Sequence, residues 1–435
     1  MTPQGTFVSA GGAKARLKPS PLGLAPSFGF GDRLGLATPG HLAALRDAGG
    51  PIRGVFAQQS IREMLRTRRG PHDVMQAAVV SLEDAEFTDK WSADADHLKT
   101  PEDVRRAMEA GFVLFTLDPS DEVDQAADTY DADVIDAKFA EVKAVAPWVE
   151  QYRGKAIRLS DVVIEFDELT LKRAAVKYAR AMRRAIFLGQ AVRDEGARLK
   201  QPFEIELSID ETAEPTTPAE HYIFVEQLRE VGITLVSLAP RLVGDFEKGV
   251  DFKGDLKELE KSLRIHAEIA ERLGPYKLSL HSGSDKLSMY PILARVTKGQ
   301  FHVKTAGTSY LEALRVAAQY DPAFFREIID FSRRHFDRDK ATYHVSATLR
   351  TVPAPDDIDD PADLEQLYLE RWDGVPEDHG FTQAGRQILH CTFGSVITDA
   401  KLGPALVALL RDRTFEYCDI LREHFVRHLN ALRMS

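Results

Sequence analysis

Two histidines and a pair of neighbouring carboxylates carry the strongest chemical signal in this chain. His281 closes the run YKLSLH, His302 lies inside FHVKT, and Asp210 and Glu211 end FEIELSIDE. Two imidazoles and a carboxylate can hold a divalent transition metal and leave positions open for water or substrate oxygens. His281, His302 and Asp210 are therefore the candidate ligands, and Zn, Mn, Co or Ni would suit them equally. The alternative is that one or both histidines only hydrogen-bond among their neighbours, since no H-E-x-x-H or cysteine-rich spacing fixes a metal site. Lys286, Lys304 and Arg241 would make the same region locally positive, which suits a carboxylate or phosphate on a substrate. Structural pairing of the lysines with Asp285 or Asp118 is the competing reading. Ser282 and Ser284 flank Gly283 in the turn SGSD, where small hydroxyls can approach a polyhydroxylated ligand closely.

These residues need elements to position them. In YKLSLH and FHVKT apolar and polar residues alternate with the period of a strand, and SMYPILARVTKG between them is long enough for a short helix. Strand, helix, strand is normally a right-handed parallel crossover, which brings both polar ends to one edge of one sheet. The same rhythm recurs along the chain. SFGFGDRLG ends in Asp32-Arg33, GVFAQQS in Gln58-Gln59, WSADADHLK in a cluster of Asp94, Asp96, His97 and Lys99, and FVLFTLDPSD in Asp118. FEIELSIDET and ITLVSLAPR follow, ending at Asp210 and Arg241, and FHVKT runs into Thr305. The cluster from Asp94 to Lys99 also fits a solvated acidic loop. Eight such strand ends, mostly separated by helical patterns, predict a (β/α)8 TIM-type barrel in preference to an open doubly wound sheet. The expected organisation is a flexible leader over 1–26, a barrel over 27–310 with a helical insertion at about 122–201, and a mainly helical C-terminal extension over 311–435. Thr217-Pro218-Ala219-Glu220 is a capping box with proline at the first helical position. His344 and His390 in the extension are candidates to reach the site.

Composition narrows the function classes. The 435 residues are 44% hydrophobic and 28% charged, enough for a sizeable core. A net charge of −11 argues against nucleic-acid binding, which usually needs a basic face. Two cysteines are too few for a disulfide framework and point to a reduced compartment. No leader with an apolar core followed by a cleavage site is visible, and no apolar run is long enough to span a membrane, so a cytoplasmic protein is expected. The glycines at 29, 31 and 35 do not follow the dinucleotide fingerprint, and no nucleotide cofactor is expected.

The segments SFGFGDRLG, ADADHLK, LSIDET with PTTPAEHYIF, APRLVGDFEKGVDFKGD, YKLSLHSGSDKLSMYP and HVKTAGTSYLEAL together resemble the tagaturonate epimerase family, bacterial enzymes of hexuronate breakdown. The likeness covers about residues 27 to 400. It implies metal-dependent interconversion of D-tagaturonate and D-fructuronate, a small ketouronate as partner, and no nucleotide. These two ketouronates differ at a carbon β to the ketone, whose hydrogen is not acidified by direct enolisation. The implied reaction therefore favours retro-aldol cleavage, rotation of the aldehyde fragment and aldol re-addition. In that scheme Glu211 or Asp118 removes and returns the hydroxyl proton. Lys304 protonates or stabilises the developing oxyanion, and Lys286 or Arg241 grips the carboxylate. Ser282, Ser284, Thr305, Lys99 and Arg33, all near strand ends, are the remaining expected substrate contacts. A metal-dependent sugar isomerase or class II aldolase is the alternative, and a non-catalytic sugar-acid binding protein a further one.

Overall fold

A computed structural model describes residues 17–433. Eight parallel strands close into a barrel: β1 (Ser27–Phe30), β2 (Arg53–Ser60), β3 (Ser92–Leu98), β4 (Leu114–Leu117), β5 (Glu204–Ile209), β6 (Ser237–Pro240), β7 (Lys277–Leu280) and β8 (Phe301–Thr305). Each strand pairs with the next in sequence, and β8 returns to β1. This is the expected (β/α)8 architecture. The alternation read from sequence sorts the side chains by face. Phe28 and Phe30 point outward and pack their rings 5.9 and 5.2 Å from Phe425 of the C-terminal helix Thr414–Arg433.

The inward face is unusual. Barrel interiors are commonly filled with layers of branched aliphatic side chains, whereas this one is stacked with ionisable groups. Near the amino ends of the strands Lys277 Nζ donates to Ser27 Oγ at 2.9 Å, and Ser27 Oγ lies 2.9 Å from His302 Nδ1. One layer higher, Lys304 Nζ meets Asp94 and Asp96 at 2.8 Å each and Glu206 at 2.7 Å. Charges so deeply buried persist only when paired and hydrogen-bonded. Here the pairs climb the barrel axis toward the carboxyl edge.

Residues 17–26, expected as part of a flexible leader, lie across the amino end of the barrel. The backbone N–H groups of Leu22 and Gly23 donate to the Glu204 carboxylate at 3.0 and 2.6 Å, and Ser20 N–H bonds Trp91 O. The rest of that leader, residues 1–16, lies outside the described residues. Between β4 and β5 the chain forms helices Ala132–Val142 and Val149–Tyr152 and a short hairpin of Ala156–Arg158 with Val163–Glu165. It returns through the 32-residue helix Glu168–Leu199. That helix presents Lys177 to Glu220 of the following barrel helix, Pro218–Glu230, at 3.2 Å. After β8, helix Thr308–Tyr320 completes the last barrel unit, and further helices lead to Arg433. Among the described residues no helix is long and apolar enough to cross a membrane.

Candidate active site

The strand ends and the loops after them enclose a cavity of about 560 Å³ at the carboxyl edge of the barrel. Its floor is the top of the ionic stack. His97, Asp96 and His281 each offer a ligand atom within 4.8 Å of the others, and His97, Asp118 and Glu211 form a second, overlapping group of the same kind. His281 Nε2 lies 2.7 Å from Glu206 Oε1, and its Nδ1 lies 3.2 Å from Asp210 Oδ1. His97 Nδ1 lies 3.1 Å from Asp118 Oδ2. The two imidazole rings are 5.0 Å apart.

Burial alone would discharge both rings. The carboxylates around them win instead: Asp210 and Glu206 raise His281 to about 10, and Asp96 with Asp118 raises His97 to about 9. The site has more negative than positive charge to accommodate, which is the environment a divalent cation fills while leaving the imidazoles neutral. Two further observations fit a metal. His281 Nδ1 is buried and its one close neighbour, the Asp210 carboxylate at 3.2 Å, is badly aligned for a hydrogen bond, and Asp118 fixes one nitrogen of His97, as a carboxylate behind a ligating histidine does. Backbone strain gathers here as well: His97 and Ser282 hold φ of 51° and 52°, in the left-handed region that costs a non-glycine residue energy.

The expected ligands separate. Asp210 and His281 come together, but His302 does not join them. Equal position within two strands would set the histidines side by side, yet the register pairs His302 with Ser279, two residues before His281. His302 is thus one layer down, fully buried, with Nδ1 at Ser27 and Nε2 3.8 Å from Asp94. In its place stand Asp96 and His97, from the cluster that also fitted a solvated loop.

The other expected site residues divide similarly. Glu211, Arg33, Arg241, Ser282, Ser284 and Lys304 line the cavity. Glu211 accepts from Arg62 at 3.3 Å. Arg33 donates through Nε and Nη2 to the one oxygen Oε1 of Glu63, at 2.8 and 2.5 Å, and Arg241 donates to the carbonyls of Leu242 and Gly244. Asp118 stands behind His97, held below its ordinary value, at about 2; burial opposes that shift, and the His97 ring outweighs it. Lys99 turns outward to Asp121 at 2.5 Å, and Thr305 donates to Gly29 O within the barrel wall. Lys286 is fully buried and its ammonium donates to the carbonyls of Glu247, Val250 and Ser284, so it does not reach the cavity.

Three lining residues carried too little signal to be placed from sequence: Arg62 from the helix after β2, Lys248 from the long loop after β6, and Tyr343 from the C-terminal extension. His344 and His390, the candidates from that extension, line the cavity too. The approach of His390 depends on Gly307, where a Cβ would fall 2.0 Å from the ring. A third group, Asp285, His424 and His428, has ligand-like spacing but lies buried behind the 282–286 turn. His428 Nε2 there already accepts the Asp285 N–H at 3.1 Å, so its lone pair is in use.

Comparison with known proteins gives a consistent result. The sequence model of the UxaE tagaturonate epimerase family matches residues 14–432. A tagaturonate/fructuronate epimerase of Thermotoga maritima is 41% identical over 416 residues, spanning 96% of this chain and 82% of that protein. Crystal structures of a fructuronate-tagaturonate epimerase from Cohnella laeviribosi, native and with one glycerol, are each 34% identical. Both superpose with a TM-score of 0.87, covering 96% of this chain and 83% of theirs.

Proposed function

This chain belongs to the tagaturonate epimerase family and is a carbohydrate epimerase, and from that premise we propose that it interconverts D-tagaturonate and D-fructuronate by metal-dependent retro-aldol and aldol chemistry. The observation that carries this reading is the meeting of Asp96, His97 and His281 at the cavity floor, beside Asp210 and Glu211. Those residues would hold the cation: the two imidazoles, Asp96, and Asp210 next to His281. A divalent cation bound there would supply Lewis-acid charge to the cavity.

The remaining work falls to the side chains. Glu211 is the general base: it faces the cavity, and Arg62 and Ser120 steady its oxygens at 3.3 and 3.4 Å. It takes the proton of the hydroxyl on the β carbon. The O–H electron pair becomes a carbonyl, the bond between the α and β carbons breaks, and its electrons pass to the ketone fragment as an enediolate. Rotation of the new aldehyde presents its other face. Re-addition then forms the same bond, and Glu211 returns the proton, so nothing is gained or lost except configuration. Lys304 acts as a fixed positive charge beneath the reacting atoms. Its three carboxylates outweigh burial and keep it protonated well above its ordinary value, which suits oxyanion stabilisation better than proton donation. Ser282 and Ser284 offer hydroxyls to the sugar. Enclosure matters because an escaping aldehyde would turn an epimerase into an aldolase.

Proton NMR of tagaturonate with the enzyme tests the proposal. Fructuronate should appear with a divalent metal, stop with EDTA and return on adding metal. In D2O the hydrogen on the β carbon should stay unexchanged. Accumulating three-carbon fragments would instead mark an aldolase, and no fructuronate under any divalent metal would refute the assignment.

A further inference from the structure

Five lysine and arginine side chains line the cavity, and four of them face a carboxylate. Arg33 pairs with Glu63 at 2.5 Å, Arg62 pairs with Glu211 at 3.3 Å, Arg241 sits 4.0 Å from Asp245, and Lys304 holds three carboxylates. Lys248 is the exception. Among the described residues its ammonium has no carboxylate within 4.0 Å, and its hydrogen bond goes to the hydroxyl of Ser282. An ammonium has three donors, so two remain for a ligand. Burial, reinforced by the Arg62 guanidinium, pushes Lys248 below its ordinary value, while Glu211 and Asp210 pull the other way. Lys248, Glu211 and Arg62 line the same cavity.

The fold holds this one side chain in place from behind. Lys286 donates to the carbonyls of Glu247 and Val250, on either side of Lys248. Arg386 Nε donates to Gly249 O at 2.7 Å. The Glu247 carboxylate accepts from Lys253 and Gln387 at 2.7 Å and from Ser346 at 2.8 Å. Ser282, the partner of Lys248, belongs to a turn anchored by the ion pair of Asp285 with Arg386 at 2.9 Å. Two fully buried cations, Lys286 and Arg386, are thus committed to fixing the turn 247–250. Such preorganisation is what anion recognition needs, because a tethered ammonium loses little freedom on binding.

We propose that Lys248, backed by Ser282, binds the substrate carboxylate and sets the preference for ketouronates over neutral ketohexoses. This rests on the epimerase reading above for the identity of the anion. Lys286, one of the two residues expected from sequence, with Arg241, to grip that carboxylate, is on this account a positioning residue that places Lys248.

Calorimetric binding of tagaturonate and of the corresponding neutral ketohexose, alongside turnover by NMR, provides the test. Lys248→Met should weaken tagaturonate binding and raise its KM by about 10- to 100-fold, the usual value of one charge-assisted hydrogen bond. Affinity for the neutral sugar should stay unchanged, kcat should change less than KM, and Lys248→Arg should retain most of the preference. Should the methionine variant fail to fold, Lys248→Gln gives the same reading. Preference unchanged in the uncharged variant, or equal loss for both sugars, would overturn the proposal. A wild-type protein that prefers the uronate in a Lys248-dependent way but makes no epimer would refute the reaction and leave Lys248 as the carboxylate site. A wild-type protein that epimerises while Lys248→Met keeps its preference would refute the recognition role alone.

Discussion

His281 and His302 are chemically alike, yet two residues of strand register place one in the cavity floor and the other beneath it. The offset predicts different consequences for the same substitution. His281→Ala or His97→Ala should each leave the purified protein with little bound metal, as measured by elemental analysis of untagged protein prepared without chelator. His302→Ala should keep the metal. It removes one of the two partners of Ser27 Oγ in a fully buried layer, so it should lower unfolding stability by about 1–3 kcal/mol in urea titrations. Loss of metal in His302→Ala with His97→Ala unaffected would reverse the ligand assignment. At this scale residue type was legible, as were the polar faces of the strands. Depth was not. Alternation tells which side of a strand a residue faces, but the tilt of strands in a closed barrel sets its level, and no local pattern encodes tilt. Lys286 shows the same limit. A lysine in a polar turn reads as available, and only the three carbonyls around its ammonium show that it is spent.

Whole elements were read more fully, because periodicity and capping are local. The capping box at Thr217 and Glu220 forms as the sequence indicates, with Thr217 Oγ1 accepting from Glu220 N–H at 3.2 Å and the Glu220 carboxylate accepting from Thr217 N–H at 2.8 Å. What the sequence hid is a second use of that glutamate. Its carboxylate also meets Lys177, which is 1% exposed on helix Glu168–Leu199 and has Asp128 2.8 Å away. Removing the two members of the cap should therefore differ. Thr217→Ala should cost about 1 kcal/mol, the usual worth of an N-cap. Glu220→Ala should cost about 3 kcal/mol, the low end for breaking a buried pair, because Asp128 still compensates Lys177. Denaturant titrations of the two variants would show the difference, and equal losses would mean that Glu220 contributes only as a cap. The pair also ties the helix of the 122–201 segment to the barrel through residues 43 positions apart, a link that no local pattern announces.

Acid sensitivity belongs to the molecule as a whole, since its determinants lie far apart. His41 is fully buried, with its ring stacked 4.9 Å from Phe30 and Nε2 2.7 Å from Ser309 Oγ. Burial lowers it to about 4, against a smaller upward pull from Asp32. His266, on the outer helix Leu256–Leu273, is likewise lowered to about 4 by burial, and its Nδ1 lies 2.8 Å from His221 Nδ1. Each ring is neutral when folded and titrates near 6.5 when unfolded. Between about 4 and 6.5 the unfolded chain therefore binds more protons, and stability must fall as pH falls through that window. A shift of this size is worth about 3 kcal/mol per histidine at its full extent. In metal-free protein His97 and His281 act oppositely, but their raised values place their change above 6.5, outside this window. Urea unfolding of metal-free protein at pH 7, 5.5 and 4.5 should show the decline, and His41→Gln should make it shallower by its own share, leaving that of His266 and the cavity lining unchanged. A profile flat from pH 7 to 4.5 would mean that these rings find protons, or water, that their surroundings do not show. The C-terminal extension takes part in this balance, because Phe425 packs against His41 at 5.1 Å while the same extension sends Tyr343 and His390 into the cavity. Protonating a ring on the outer wall of the barrel should therefore loosen a segment that also closes the site, and activity in the proposed epimerase assay should fall with stability over the same range of pH.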